Sequence, residues 1–181
     1  MKTNKIKVIF TVLILVPLLS GCIGINSNFK ILRNSILKLS NNRFHKEIEF
    51  SVGSFGLMIA GAFVSLNNSD ENIDDILDQI SGIQIGVYEK RGSNFGFTLN
   101  KLREVSNVME NKGWSCLIKT INGEDRNAVF LRANNTGKMN MLFVVAFTDD
   151  ELILTEVNGN LEKLIELAIK DKGLNFDIEE D

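Results

Sequence analysis

The 181-residue chain is poor in the residues on which many kinds of functional site depend. It contains one histidine, one proline, one tryptophan, one tyrosine and two cysteines. A single histidine excludes metal sites built on two histidines and leaves one imidazole base for a serine or cysteine nucleophile. The formal net charge is -3 and no basic block occurs, whereas nucleic-acid binding depends on Lys and Arg. We therefore expect no nucleic-acid partner.

An export signal is the clearest feature that the sequence does contain. Lys2, Lys5 and Lys7 precede an uncharged apolar run over residues 8–19, which is followed by small residues and a cysteine. The run is too short to cross a membrane, which takes about 20 residues. The alternative, a buried N-terminal helix, does not account for a cysteine at this position. We expect residues 1–21 to be a cleaved signal peptide.

Leu19, Ser20, Gly21 and Cys22 resemble the lipobox of bacterial lipoproteins. The resemblance implies that the sulfur of Cys22 is acylated and that Cys22 becomes the first residue of the mature protein. Two or three acyl chains hold a protein at a membrane almost permanently. We therefore expect a membrane partner through acylated Cys22, on the exoplasmic side of a bacterial envelope. Ile23, rather than Asp, at the next position favours the outer membrane.

Composition and length predict one folded domain after this anchor. The chain is 44% hydrophobic and 24% charged, as globular domains are, and its size supports one core. The one proline lies in the signal peptide, so no rigid linker is predicted. With Cys22 acylated, Cys116 has no partner for an internal disulfide. We expect a tether over 22–28, a domain over 29–172 and an acidic tail over 173–181.

Hydrophobic periodicity predicts an α+β domain. Ile48, Phe50 and Val52 alternate with polar residues, which predicts a half-buried strand. The uncharged segment 50–66 is interpreted as a buried core helix in preference to a membrane helix. Helical stripes are predicted before Gly82 and Gly113, each followed by a strand. A helix at the start of the domain is predicted from the spacing of Phe29, Leu32, Ile36 and Leu39. The stripe before Gly113 consists of Leu99, Leu102, Val105, Val108 and Met109.

Tight-turn signals between residues 114 and 158 predict a four-stranded antiparallel meander. Its segment 139–147 is apolar on both faces and should lie centrally. The predicted fold class is α+β, with a mixed, mostly antiparallel sheet and helices packed on it. A strand–helix–strand unit would begin the sheet and the meander would complete it.

Candidate catalytic groups are few. His45 lies in a polar stretch and is expected at the surface. Cys116 shares a strand face with Trp114 and Ile118, which predicts a buried, inert thiol. Carboxylates at Asp149, Asp150 and Glu151 are expected in an exposed turn, with ordinary acidity. We assign no catalytic residue, no metal ligand and no cofactor.

The order of these elements resembles an uncharacterised family of bacterial secreted lipoproteins, domain of unknown function 4252. The most specific points are the strand around Val87-Tyr88-Glu89 and the Gly113-Trp114 step, and the meander closes on Val157-Asn158-Gly159. The resemblance covers about residues 48–168. It implies a lipobox, residence in the envelope and a compact α+β domain, and it implies no activity.

The leading functional hypothesis is a non-enzymatic binding or sensing module of the envelope, which meets a protein or a small ligand. One alternative is a small hydrolase that uses carboxylates, Asp149 or Glu151 with Asp74. A second alternative is a structural protein that assembles through an exposed sheet edge.

Overall fold

A computed structural model describes residues 24–59, 71–92, 98–123, 125–148 and 150–172. Residues 54–59, directly after the first strand, are also helical. The labelled elements, in chain order, are α1 (Ser27–Leu39), β1 (Phe44–Gly53), α2 (Glu71–Asp78), β2 (Ile80–Lys90), α3 (Leu99–Glu110), β3 (Ser115–Asn122), β4 (Asp125–Ala133), β5 (Met139–Phe147), β6 (Glu151–Gly159) and α4 (Leu161–Lys172).

The strands form one sheet in the order β1-β2-β6-β5-β4-β3, and every pair of neighbours is antiparallel. Strands β3 to β6 make the predicted meander, and the apolar strand β5 is interior as expected. The α+β class is therefore confirmed, but the expectation of a mixed sheet is wrong for the described strands. The reason is that α3 carries the chain from β2 to the far edge, so no helix joins two parallel neighbours.

One face of the sheet, here called the inner face, is packed against α1 and α3. The fully buried aromatic and aliphatic residues that α1 and α3 contribute are Phe29, Leu32, Ile36, Leu102, Val105 and Met109. Phe143 on β5 lies at their centre, with its ring centroid 5.7 Å from those of both Phe29 and Trp114. Each such side chain stabilises the fold by roughly 1.5–3 kcal/mol relative to exposure. The predicted apolar stripes of both helices are confirmed at these six positions, whereas Leu99, the first position of the predicted α3 stripe, is 49% exposed.

A β-bulge between Lys46 and Ile48 changes the register of β1. A bulge adds one residue to a strand and so reverses which face the following residues point to. Glu49 consequently lies opposite Gly86 and points to the inner face, while Ile48 is 50% exposed. The predicted strand is confirmed, but the alternation that would bury Ile48 and expose the polar residue after it, Glu49, is wrong at these two positions.

The glycines at the two predicted helix-to-strand steps behave differently. Gly113 has φ +80°, a left-handed conformation that glycine adopts without strain, and it follows the end of α3 as expected. Gly82 instead lies inside β2, opposite Gly53 and Asn158, because α2 already ends at Asp78. The prediction that Gly82 closes a helix is wrong.

The packed body includes Ile25 and Asn26, which lie within the expected tether, 22–28. Ile25 is 8% exposed, and the side chain of Asn26 accepts a hydrogen bond from the Phe29 amide at the start of α1. Residues 1–23 and 173–181 lie outside the described residues, as does the second half of the 50–66 segment. Its first residues belong to β1 and to the helical residues 54–59. Across the described ranges, no helix is both long and apolar enough to cross a bilayer.

A donor-lined pocket and two buried polar networks

Most residues singled out from the sequence as functional lie outside the part of the chain that the structure describes. Leu19, Ser20, Gly21 and Cys22 lie outside the described residues, and so do Asp149 and the side chain of Asp74. Glu151 is exposed at the start of β6. The hypothesis that Asp149 or Glu151 pairs with Asp74 therefore falls partly on residues that the structure does not describe.

Cys116 and His45 are both partly buried. The thiol of Cys116 packs against the core from the inner face. A bulge between Cys116 and Ile118 leaves Ile118 half exposed, so the predicted shared face ends at that point.

A cavity of about 270 Å³ opens between α1, the turn after α3 and β4, and we call it the Trp114 pocket. It is lined by Asn28, Ile31, Leu32, Lys112, Trp114 and Arg132. Trp114 is 2% exposed, and its amide donates a 3.1 Å hydrogen bond to the Met109 carbonyl at the end of α3. The last turn of α3 thus fixes the indole within the core beside the pocket.

Arg132 places a positive charge at this pocket. Its guanidinium carbon lies 4.8 Å from the centroid of the Trp114 ring, a distance at which cation–π attraction operates. Its Nη2 lies 2.8 Å from the sulfur of Met141 on β5. Within the described ranges, no carboxylate forms an ion pair with this guanidinium.

A second cavity, of about 460 Å³, lies at the β4–β5 turn and shares Arg132 with the Trp114 pocket. Its other lining residues are mainly polar: Ala133, Asn134, Asn135, Thr136, Asn140 and Met141. Asn134 organises this turn, because its side chain accepts hydrogen bonds from the amides of Thr136 and Lys138. Arg132 therefore lines both the Trp114 pocket, which contains an aromatic side chain, and the cavity at the β4–β5 turn, which is rich in asparagine.

The charged side chains that line the Trp114 pocket, Arg132 and Lys112, are hydrogen-bond donors. Arginine, lysine and the indole N–H can donate but not accept. The Trp114 Nε1 makes no hydrogen bond within the described residues, but it is buried from solvent, so the donors at the pocket surface are those of Arg132, Lys112 and Asn28. Such a lining favours a ligand that brings acceptor oxygens and negative charge. Sequence reasoning missed Arg132, since only the pairing of β4 in the sheet carries it to the tryptophan.

A charged network is buried between α1 and the inner face. Glu49 Oε1 accepts hydrogen bonds from Arg33 Nη1 at 2.5 Å and from Tyr88 Oη at 2.6 Å. The Glu49 side chain is 8% exposed, and Lys46 lies 3.9 Å from its second oxygen. The Tyr88 ring lies over Gly86, where an added Cβ would come within 2.8 Å of the ring. Gly86 therefore provides the space that lets Tyr88 reach Glu49.

The ionisation of this network follows from its contacts. Burial is the largest single influence on the Glu49 pKa and raises it, but the hydrogen bonds from Tyr88 and Arg33 and the charges of Arg33 and Lys46 together hold the pKa below its ordinary value. Burial first, and then the hydrogen bond to Glu49, raise the pKa of Tyr88. Tyr88 consequently stays protonated and donates to an ionised Glu49 at neutral pH.

A second polar network joins the start of α1 to the sheet. Glu156 is 1% exposed, and its Oε1 accepts from Gln84 Nε2 at 2.7 Å, Asn158 Nδ2 at 3.0 Å and Asn26 Nδ2 at 3.3 Å. The Gln84 side chain also accepts a 2.6 Å hydrogen bond from the Asn26 amide. Gln84 and Glu156 thus attach the start of α1 to the sheet. These polar side chains lie on a sheet face that alternation alone predicts to be apolar.

The arrangement defines an α+β domain in which α1 and α3 cover one face of an antiparallel sheet and a small, donor-lined pocket opens beside them. The chain belongs to the family described as Domain of unknown function (DUF4252), which matches residues 42–164. The family resemblance inferred from the sequence is thereby confirmed, while the lipoprotein character stays a prediction. Neither curated proteins nor solved structures gave a significant match.

Proposed function

We propose that this protein is a lipid-anchored, non-enzymatic binding module of the bacterial cell envelope. In this proposal acylated Cys22 holds the domain at the exoplasmic membrane surface, and the Trp114 pocket takes a small anionic ligand. The observation that carries the binding role is the position of Arg132 against the buried indole, without a carboxylate partner in the described residues.

The ligand chemistry follows from the lining. The Arg132 guanidinium lies over the Trp114 ring, and the N–H groups of a guanidinium suit a carboxylate or phosphate. Lys112 adds a second positive charge and Asn28 an amide at the same pocket. The volume of about 270 Å³ lies just below the range of about 300–1,000 Å³ that is usual for small-molecule sites. A small carboxylate or phosphate compound therefore fits better than an extended polymer.

Fluorescence offers a direct binding test, because Trp114 is the only tryptophan in the chain. The full chain in detergent would be titrated with small mono- and dicarboxylates, with phosphate esters and with the neutral amides of the same acids. We expect at least one anion to change the Trp114 emission saturably, and its neutral amide to have no effect. A charged hydrogen bond is worth about 1.5–3 kcal/mol, so Arg132→Gln should weaken binding by roughly ten- to a hundredfold.

Arg103→Gln is the matched control, since Arg103 is exposed on α3 and does not line the pocket. This control should bind as the wild type does. Equal affinity for anions and neutral amides, or unchanged affinity in Arg132→Gln, would contradict the assignment of the pocket.

The anchor follows from the lipobox, and the fold supports a short connection to it. Three residue steps separate Cys22 from the buried Ile25, a distance of at most about 11 Å in an extended chain. The body would therefore lie against the membrane surface. Fractionation of bacterial cells should place the wild-type chain with the membranes, mainly the outer membrane in a Gram-negative host. Recovery of Cys22→Ser in the same membrane fractions would contradict the anchor.

Assembly through a sheet edge is a second candidate function, favoured by the exposure of β3. Leu117, Ile118 and Ile121 on this edge strand are 55%, 50% and 53% exposed. An exposed apolar edge strand can pair with another chain. The mass of the full chain in detergent should then be that of a dimer, and Leu117→Lys should return it to the monomer. A monomeric wild type would exclude this role.

A further inference from the structure

Three ligand-type side chains meet at the β1–β2 edge of the sheet, away from the Trp114 pocket. One potential ligand atom from each of His45, Glu47 and Glu89 lies within 4.8 Å of the other two. His45 and Glu89 are cross-strand partners, and His45 Nε2 is 3.1 Å from Glu89 Oε2. We call these three residues the edge cluster.

Backbone pairing creates the edge cluster. Register places Glu89 directly opposite His45, and Glu47 follows two residues later at the bulge, where its carboxylate lies near both side chains. The bulge beside Glu47 then turns Glu49 inward, so that Glu47 is left outward. Strand pairing fixes the backbones of His45 and Glu89, and Glu47 is the extra residue of the bulge between two paired residues, Lys46 and Ile48. This arrangement favours a defined site over a chance grouping of mobile side chains.

The edge cluster contains two carboxylates and few partners for them. Within the described ranges Glu47 makes no ion pair, and Glu89 is paired with His45 alone. On its other side Glu89 lies opposite Glu151 of β6, which is exposed. Carboxylates directly opposite each other on neighbouring strands repel, and a bound cation would remove that repulsion.

We infer that the edge cluster binds a divalent transition-metal ion, with Zn²⁺ as the best fit. One imidazole nitrogen and two carboxylate oxygens are ligands that Zn²⁺ accepts, whereas Ca²⁺ and Mg²⁺ prefer oxygen ligands alone. The ligand atoms of a tetrahedral Zn²⁺ site lie about 3.4 Å from one another. Side-chain rotations that move each ligand atom by about 1 Å would bring the three atoms to that separation. A fourth position stays open to water. This site is separate from the proposed anion pocket and does not depend on it.

The only histidine in the chain gives this site a specific spectroscopic signal. The full chain, made without a histidine tag and kept in detergent, would be titrated with ZnCl₂ and followed by imidazole NMR and calorimetry. We expect the His45 ring resonances to shift until one equivalent of Zn²⁺ is bound, and millimolar Mg²⁺ to leave them unchanged. Unshifted His45 resonances would overturn the inference, even if Zn²⁺ binds elsewhere on this acidic chain.

Variants locate the ion. Glu47→Gln and Glu89→Gln should each weaken the calorimetric affinity at least tenfold, and both residues are exposed, so both variants should fold. Glu110→Gln is the matched control, because it removes one exposed carboxylate at the end of α3 and should bind Zn²⁺ as the wild type does. Wild-type affinity in both cluster variants, or an equal loss in the control, would show that the edge cluster is not the site.

Discussion

Replacing Tyr88 by Phe should destabilise the domain in a way that depends on pH. The substitution keeps the buried ring over Gly86 and removes only the hydroxyl that donates to Glu49 at 2.6 Å. A hydrogen bond to a charged group contributes about 1.5–3 kcal/mol, and the acceptor here is a carboxylate whose side chain is 8% exposed. We therefore expect Tyr88→Phe to lower the free energy of unfolding by about 1.5–3 kcal/mol at pH 7.

The sign of the pH dependence follows from the lowered pKa of Glu49. A carboxyl whose pKa is depressed in the folded state stabilises the fold above its unfolded-state pKa of about 4.3, and this stability is lost as the pH falls through the folded-state pKa. Without the Tyr88 donor, the folded-state pKa of Glu49 should move upward. The variant should therefore lose less stability than the wild type on acidification, and the difference between them should shrink below pH 4.

Urea unfolding, followed by the fluorescence of the buried Trp114, measures both effects between pH 3 and 7. Ser106→Ala is the matched control, since Ser106 is 2% exposed and its hydroxyl donates to the Leu102 carbonyl, a neutral partner. Its cost should not change with pH. A Tyr88→Phe variant as stable as the wild type at pH 7, or one whose cost is the same at pH 3 and pH 7, would refute the proposed role of Glu49.

Further substitutions test the close approaches and the second network. Gly159→Ala should cost about 1–3 kcal/mol, because its Cβ would clash with the Gln79 carbonyl oxygen and lie 3.0 Å from the Ile80 Cα, so that backbone would have to move. Gly86→Ala should cost a similar amount by displacing Tyr88. Gln84→Ala should cost about 1–3 kcal/mol, since it removes the acceptor of the Asn26 amide and a donor to Glu156. Urea unfolding checks each value, and hydrogen exchange at the start of α1 should accelerate in Gln84→Ala alone.

Local patterns in the sequence were sufficient to predict the helices of the inner face and the meander. The spacing of Phe29, Leu32 and Ile36 predicts a buried stripe because it matches the helical period, and those residues are buried. The turn signals after Trp114 separate four short strands correctly. These features depend on residues that are close together in the chain, and the spacing of apolar residues along the chain is sufficient to predict them.

Features that depend on pairing between distant strands could not be predicted in this way. Alternation assigns Glu49 to the solvent side, and only the bulge in the β1–β2 ladder turns it towards Arg33. Arg132 reaches Trp114 only because β4 pairs beside β3. The proximity of His45 to Glu89 likewise arises from strand register, so a single histidine in a polar stretch gave no sign of a metal site.

The attachment of lipid to Cys22 is the central claim, because it fixes where the proposed binding module acts. Growth of a bacterial host with an alkyne analogue of palmitate, followed by purification of the full-length product, tests it directly. We expect the wild-type protein to be labelled and its N-terminal peptide to begin at acylated Cys22, while Cys22→Ser is unlabelled. A wild-type product that carries no label, or a Cys22→Ser product that is labelled equally, would contradict the account.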